Sequence, residues 1–317
     1  MTGMTVKNIN QTHQSFSKSK GNFRNFIDIS ALSKNEIRLI LDKAKSLKDY
    51  DKKDIREKLL DGKQLAMIFE KASTRTRVSF EVGINQLGGD AIYLSGDASQ
   101  IGRGEPVKDT AKVLSRYTDL IMIRTFKHET VQELAENADV PVINGLTDFS
   151  HPCQIMADLL TIEEHKGNLN DLKIVWSGDC NNVCRSWAQA ADILNLNFTV
   201  ACPESYFHGI EVSENVTYSA NPEDAVKQAD IVMTDTWFSM GERDTDGKEE
   251  ILQPFQVNKQ LFSKAKDDAI FMHCLPAHRG EEVTSDVIDS PASVIYDESE
   301  NRLHAQKAIM LWCLGLI

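Results

Sequence analysis

The stretch Leu65-Ala66-Met67-Ile68-Phe69, followed by Glu70-Lys71-Ala72 and then Ser73-Thr74-Arg75-Thr76-Arg77-Val78-Ser79-Phe80-Glu81-Val82-Gly83, passes from an apolar run of strand length into a helix-like pattern. Two arginines sit two apart among hydroxyl residues at the junction, with no glycine-rich loop. A strand that is apolar without alternation is covered on both faces, as parallel strands between helices are. A strand-to-helix turn also aims unpaired backbone N–H groups and the positive end of the helix dipole at one point. Ser and Thr hydroxyls add donors there, and Arg75 adds a fork that matches phosphate oxygens. Taken alone, the same residues read equally well as an N-cap with solvated arginines.

The pattern repeats outward from this stretch. Ser33-Lys34-Asn35-Glu36 is a capping box that opens a helix through about Leu47. Further helices are expected over Pro106–Tyr117, His128–Ala138, Pro152–His165, Arg185–Leu194 and Asn301–Leu314. Apolar runs of strand length lie at Leu120–Ile123, Pro141–Ile143, Leu172–Trp176, Phe198–Ala201, Ile231–Thr234 and Ala269–Met272. The fold class is therefore α/β: two domains, each a parallel sheet flanked by helices, with the active site in the cleft between them. The expected division is an N-terminal arm over 1–27, a first domain over 28–150 and a second over 151–295. The helix over about 296–317 is expected to pack back on the first domain.

Polar clusters follow the strands. Arg124 follows Leu120–Ile123, and His151-Pro152-Cys153-Gln154 comes shortly after Pro141–Ile143. Asp179-Cys180-Asn181-Asn182 follows Leu172–Trp176, Asp235-Thr236-Trp237 with Ser239-Met240-Gly241 follows Ile231–Thr234, and His273-Cys274-Leu275-Pro276 follows Ala269–Met272. Ligands of open parallel sheets bind beyond the carboxyl ends of the strands, so these clusters read as walls of one cleft. Singly, His151 reads more often as a satisfied structural histidine and Cys274 as a core thiol.

The 317 residues are 41% hydrophobic and 26% charged, as in globular proteins. A net charge of −12 argues against general nucleic-acid binding, which needs a basic face. No apolar run approaches the ~20 residues that span a bilayer. Six scattered cysteines read as reduced thiols in a cytoplasmic protein, and zinc fits poorly because no CxxC pair occurs. The first 27 residues lack Asp and Glu and carry one arginine, Arg24. They read as a disordered or loosely packed arm, with an organellar transit peptide as the alternative.

Assembled, these residues resemble the ornithine carbamoyltransferases: Ser73-Thr74-Arg75-Thr76-Arg77, His151-Pro152-Cys153-Gln154, Asp235-Thr236-Trp237 with Ser239-Met240-Gly241, His273-Cys274-Leu275-Pro276-Ala277-His278-Arg279-Gly280, and Glu300-Asn301-Arg302. The resemblance runs from about residue 25 to the end. It implies transfer of a carbamoyl group from carbamoyl phosphate to L-ornithine, giving L-citrulline and phosphate, with no metal or other cofactor; arginine biosynthesis is the expected setting, and the reverse, catabolic direction is the alternative. By the same resemblance, Ser73, Thr74, Arg75, Thr76, Arg124, His151 and Gln154 match the carbamoyl-phosphate site. Gln100, in Ser99-Gln100-Ile101-Gly102, matches a glutamine on a loop that serves a neighbouring subunit in the family's homotrimers. Asn182, Asp235, Ser239 and Met240 match ornithine contacts, and Cys274, Leu275 and Arg302 complete the site. Cys180 departs from the pattern, where the family commonly has glycine.

The chemistry expected of these groups agrees. Arg75 and His151 can polarise the carbonyl, and Arg124 can neutralise the leaving phosphate. The attacking amine must be neutral, and Cys274 beside Asp235 is the candidate to select that form or remove its proton. A nicotinamide dehydrogenase on the same architecture would need G-x-G-x-x-G, whereas Gly178-Asp179-Cys180-Asn181-Asn182-Val183 supplies one glycine. The remaining alternatives are a non-catalytic binding homologue and carbamoyl transfer to another amine, such as putrescine, aspartate or an ornithine derivative.

Overall fold

A computed structural model describes residues 23–96, 104–238 and 247–317. Helix α1 (Lys34–Lys52) begins at the capping box: the Ser33 hydroxyl accepts from the Glu36 N–H, and the Glu36 carboxylate accepts from the Ser33 N–H at 2.9 Å. Its buried residues Ile37, Ile40, Leu41, Ala44 and Leu47 form one helical face. Then follow β1 (Gln64–Phe69), α2 (Thr74–Gln86), β2 (Asp90–Ser95), α3 (Val107–Leu114), β3 (Leu120–Arg124), α4 (His128–Asn137) and β4 (Val142–Leu146). The strands make a parallel sheet in the order β2-β1-β3-β4. Phe69 lies abreast of Ser95 and Arg124 at the carboxyl end. The β3–β4 register slips between Ile123 and Arg124, which re-aims the arginine relative to a regular strand end.

Residues 23–27 are not a loose arm. The Phe26 N–H donates to Val142 O at 2.9 Å, Phe26 O accepts from the Asn144 N–H at 2.8 Å, and the Phe26 side chain is buried. Arg24 stacks over the Trp312 ring at 4.4 Å.

Helix α5 (Pro152–Lys166) crosses to the second unit and is buried continuously from Pro152 to Ile162, as a helix packed on all sides must be. Next come β5 (Lys173–Ser177), α6 (Asn182–Leu194), β6 (Asn197–Ala201), β7 (Val216–Ser219), α7 (Pro222–Val226) and β8 (Ile231–Met233). After them lie α8 (Lys248–Leu252), α9 (Lys259–Phe262), β9 (Ile270–Met272), α10 (Ser285–Ile288) and α11 (Ile295–Cys313). The second sheet is parallel, in the order β7-β6-β5-β8-β9.

Helix α11 returns to the first unit. Lys307 Nζ donates to Gln86 Oε1 at 2.9 Å, and Arg302 Nη2 donates to Thr76 Oγ1 at 2.7 Å. In each sheet the chain order reverses beside one central strand, between β1 and β3 and between β5 and β8. Crevices at such switch points bind ligands, and the two open toward each other.

Candidate active site

Ser73 caps α2, its hydroxyl accepting from the Thr76 N–H at 3.2 Å. Thr76 Oγ1 in turn accepts from Arg302 Nη2 at 2.7 Å and Arg124 Nη1 at 3.4 Å. Arg124 is 7% exposed and Arg302 3%. Among the described residues neither pairs with a carboxylate, nor does the half-buried Arg75. Burial, and then the neighbouring Arg302, push the Arg124 guanidinium down to about 10, so it stays charged at neutral pH. Gathering cations away from water without an anion is costly.

The orphaned polar atoms point to what the cluster lacks. Arg75 Nε, Arg124 Nε, Arg302 Nε, His151 Nδ1 and Gln154 Oε1 are all buried with no protein partner. Buried polar atoms are nearly always satisfied, so five orphans on one set of residues mark a ligand site. Four are on arginine or histidine, which suits an oxyanion.

His151 caps α5 and is held by its own N–H, which donates to Ser186 Oγ at 3.0 Å. Burial, then Arg302 and Arg124, push its imidazole well below its usual range. It is therefore a neutral ring that can offer one donor without adding a charge.

The opposite wall comes from the second sheet. Gly178 turns the chain after β5 at φ 130°, where an added Cβ would lie 3.1 Å from Thr234 Oγ1 and 3.2 Å from Trp237 Nε1. Asn181 caps α6, accepting from the Val183 and Cys184 N–H groups, while its Nδ2 donates to Asp235 Oδ2 at 2.7 Å. Asn182 Nδ2 donates to Thr147 O at 2.6 Å, bridging the two units. Cys180 keeps a negative φ, so this turn has no need of glycine there; its sulfur packs 3.9 Å from Cys184 Sγ.

Cys274 Sγ donates to Asp235 Oδ1 at 3.2 Å. Burial, and then Asp235, push the thiol well above its usual range. Of the two roles expected of Cys274, selecting the neutral amine or removing its proton, a thiol that donates to a carboxylate suits the first. The Leu275 N–H donates to His273 Nδ1 at 2.9 Å, and His273 Nε2 pairs with Glu282 Oε1 at 3.1 Å, which fixes the turn. Both ring nitrogens of His273 are thus occupied, although Asp235, His273 and Cys274 lie close enough to suggest a cation site.

The walls enclose a cleft of ≈790 Å³, ample for two small substrates. Ser73, Thr74, Arg75, Arg124, His151, Asn182, Asp235, Cys274, Leu275 and Arg302 line it. Thr76 and Gln154 lie behind the wall, both fully buried. Gln100, Ser239 and Met240 fall outside the described residues. Sequence reasoning passed over Lys71, which pairs with Asp148 at 3.0 Å, and Lys248, which pairs with Asp179 at 2.8 Å; all four line the cleft. Lys71 had a signal, standing two residues before Ser73 at the β1 exit.

Two family models match the chain: "Aspartate/ornithine carbamoyltransferase, carbamoyl-P binding domain" over residues 24–164, and "Aspartate/ornithine carbamoyltransferase, Asp/Orn binding domain" over 170–313. An ornithine carbamoyltransferase of Rhodopseudomonas palustris is 53% identical over 306 residues, covering 93% of this chain and 98% of the relative. One from Methanosphaera stadtmanae is 53% identical over 290 residues, covering 88% and 95%. Among solved structures, the ornithine carbamoyltransferase of Pyrococcus furiosus superposes with a TM-score of 0.88 at 49% identity, covering 93% of this chain and 98% of that one. The Burkholderia thailandensis enzyme gives 0.86 at 43% identity, with 92% and 99% covered. With these matches spanning both sheets and the cleft between them, the chain belongs to the aspartate/ornithine carbamoyltransferase family.

Proposed function

We propose that this protein transfers the carbamoyl group of carbamoyl phosphate to the side-chain amine of L-ornithine, releasing L-citrulline and phosphate. The observation that carries this reading is the set of unpartnered buried donors on Arg75, Arg124, Arg302 and His151, facing a carboxylate and a thiol across one cleft. Carbamoyl transfer to an amine develops an oxyanion at the carbonyl while phosphate departs. Donors already in place stabilise that charge without reorganisation. Arg75 and the neutral His151 polarise the carbonyl. Arg124 and Arg302 neutralise the phosphate, helped by Ser73, Thr74 and the start of α2, while Thr76 behind them accepts from both guanidiniums and holds them in place.

The acceptor sits against Asn182, Asp235, Cys274 and Leu275; Ser239 and Met240, outside the described residues, are further acceptor contacts by the family resemblance alone. An Asp–ammonium pair suits an amino acid with a free α-amine, and aspartate would need cations for its second carboxylate. A side-chain amine with pKa ~10.4 is neutral in only about one molecule in a thousand near pH 7.4, a selection of about 4 kcal/mol. Asp235 serves better on the α-ammonium, because a carboxylate on the attacking nitrogen would keep it protonated.

Assembly as a homotrimer, with Gln100 serving a neighbour's site, is part of the same proposal. Ile92 and Tyr93 on the edge strand β2 are exposed, as are Val78 and Val82 on α2, and β2 ends just before the stretch that holds Gln100. Bare apolar edge strands are covered in working proteins, and a second copy would do so. No helix among the described residues is long and apolar enough to cross a membrane. A cytoplasmic role in arginine biosynthesis belongs to the same proposal and rests on membership of the family alone. The test is citrulline-type product formation with ornithine, putrescine and aspartate, alongside sedimentation at assay concentration. Strong preference for ornithine by a trimer supports the proposal. Equal use of putrescine removes the ornithine assignment, and a fully active monomer removes the shared site.

A further inference from the structure

Directly behind the reacting end of the cleft, Gln154 joins two buried carboxyls that the reaction as described does not use. Gln154, on the first turn of α5 after His151, donates through Nε2 to Asp158 Oδ1 at 2.7 Å and to Glu298 Oε1 at 3.0 Å. Asp158 is four residues on, hence on the same helical face. Glu298 arrives from α11. Asp158 and Glu298 are 3% and 2% exposed, and among the described residues neither forms an ion pair. Each is pinned from its far side: Asp158 Oδ2 accepts from Trp187 Nε1 at 2.9 Å, and Glu298 Oε2 accepts from the His273 N–H at 2.9 Å.

We propose that Asp158 and Glu298 are positioning residues that lock the Gln154 amide with its oxygen toward the carbamoyl group, and so make the site select an acyl phosphate bearing N–H donors. The inference rests on the carbamoyl-phosphate reading above and deepens it.

A primary amide has two N–H donors and one acceptor oxygen. Both donors of Gln154 are engaged by carboxyl oxygens. A flipped amide would set its oxygen against two acceptors, so the orientation is fixed by charge rather than by packing. What remains is Oε1, buried and without a partner. An orphaned acceptor is satisfied only by a ligand that donates. Carbamoyl phosphate presents an –NH2 where acetyl phosphate, otherwise nearly the same shape, presents a methyl group. Sites built around such a buried acceptor reject the analogue that leaves it unpaired.

The electrostatics fit a device kept for orientation. Burial is the largest cause that raises both carboxyls; the Gln154 hydrogen bond is the first to lower Asp158 again, and the His273 N–H the first to lower Glu298. Two buried carboxyls are a poor means of joining α5 to α11, since apolar residues of like volume join helices at least as well. Their geometry instead presents two acceptors at the separation that a single amide nitrogen needs.

The experiment compares carbamoyl phosphate, as substrate, with acetyl phosphate, as competitive inhibitor, in the full-length protein. Wild type should favour carbamoyl phosphate by roughly 10- to 100-fold. In Glu298→Gln and in Asp158→Asn, where a carboxyl oxygen gives way to an amide that can donate and so release the Gln154 orientation, carbamoyl-phosphate affinity should fall about 5- to 10-fold while acetyl phosphate moves less than about twofold. Gln154→Met should lose the preference, and adding Glu298→Gln to it should cost nothing further. Proportional weakening of both ligands, or additive loss in the double variant, overturns the proposal and leaves a structural role. Wild type that discriminates poorly overturns it without any variant. A wild type that binds carbamoyl phosphate no better than inorganic phosphate overturns the carbamoyl-phosphate reading itself.

Discussion

Asp235→Asn separates the two halves of the cleft. In the structure both oxygens of Asp235 accept: Oδ2 from Asn181 Nδ2 at 2.7 Å and Oδ1 from Cys274 Sγ at 3.2 Å. An asparagine keeps the shape and can keep its oxygen on Asn181, so the cap of α6 and the fold survive. What disappears is the negative charge offered to the α-ammonium. A charge-assisted hydrogen bond contributes about 1.5–3 kcal/mol, which corresponds to roughly 10- to 150-fold in affinity. The assay is a pair of binding titrations on the variant, one per substrate, with ornithine titrated in the presence of phosphate. Ornithine should weaken within that range, and carbamoyl phosphate should stay within about twofold, because its partners Arg75, Arg124 and Arg302 are untouched. If carbamoyl phosphate weakens and ornithine does not, Asp235 serves the other substrate and the assignment of the walls is wrong.

Arg75→Ala should lower turnover by about 10²- to 10³-fold, as loss of one oxyanion donor does. Its melting temperature should be unchanged or slightly raised, because Arg75 Nε has no protein partner and its charge works against Arg124 and Arg302. The apparent ornithine kcat/KM should climb about tenfold per pH unit from pH 6 to about 8.5, following the neutral amine. No inflection should come from His151, since its folded-state pKa is depressed and it is already neutral throughout that range. Gly178→Ala should destabilise the protein by about 1–3 kcal/mol in urea unfolding, because φ 130° strains any residue with a Cβ and the nearby Thr234 and Trp237 side chains would have to give way to it.

How much of this was legible in the sequence follows from burial. The seven strands expected from near-continuous apolar runs are buried along most of their length. β2 carries such a run too, Ala91-Ile92-Tyr93-Leu94, which was passed over and is partly exposed, and β7, as Val216-Thr217-Tyr218-Ser219, alternates and has none. Helix α6 begins at Asn182 rather than Arg185, because Asn181 is its cap and that polar turn reads as loop. Helix α11 starts at Ile295, beside the start expected at about 296 and before the Asn301 of the narrower pattern, which began late because Tyr296-Asp297-Glu298-Ser299-Glu300 has no apolar stripe. The cleft residues were legible because chemistry-bearing side chains stand just after apolar strands. Asp158 and Glu298 were not. An acidic residue within a helix reads as part of a solvated face, and only the burial of α5 on all sides and the return of α11 bring these two together. Phe26 was missed for a related reason: its partner is an edge of the first sheet more than a hundred residues away.

Transfer of a carbamoyl group from phosphate to ornithine within one cleft can be followed by carbon-13 NMR of the protein with carbonyl-labelled carbamoyl phosphate and ornithine. The label should appear in citrulline, on the side-chain nitrogen, with one phosphate released per citrulline and at least a hundredfold slower in Arg75→Ala. Label recovered only as products of carbamoyl-phosphate breakdown, at a rate indifferent to ornithine and to Arg75, would contradict it.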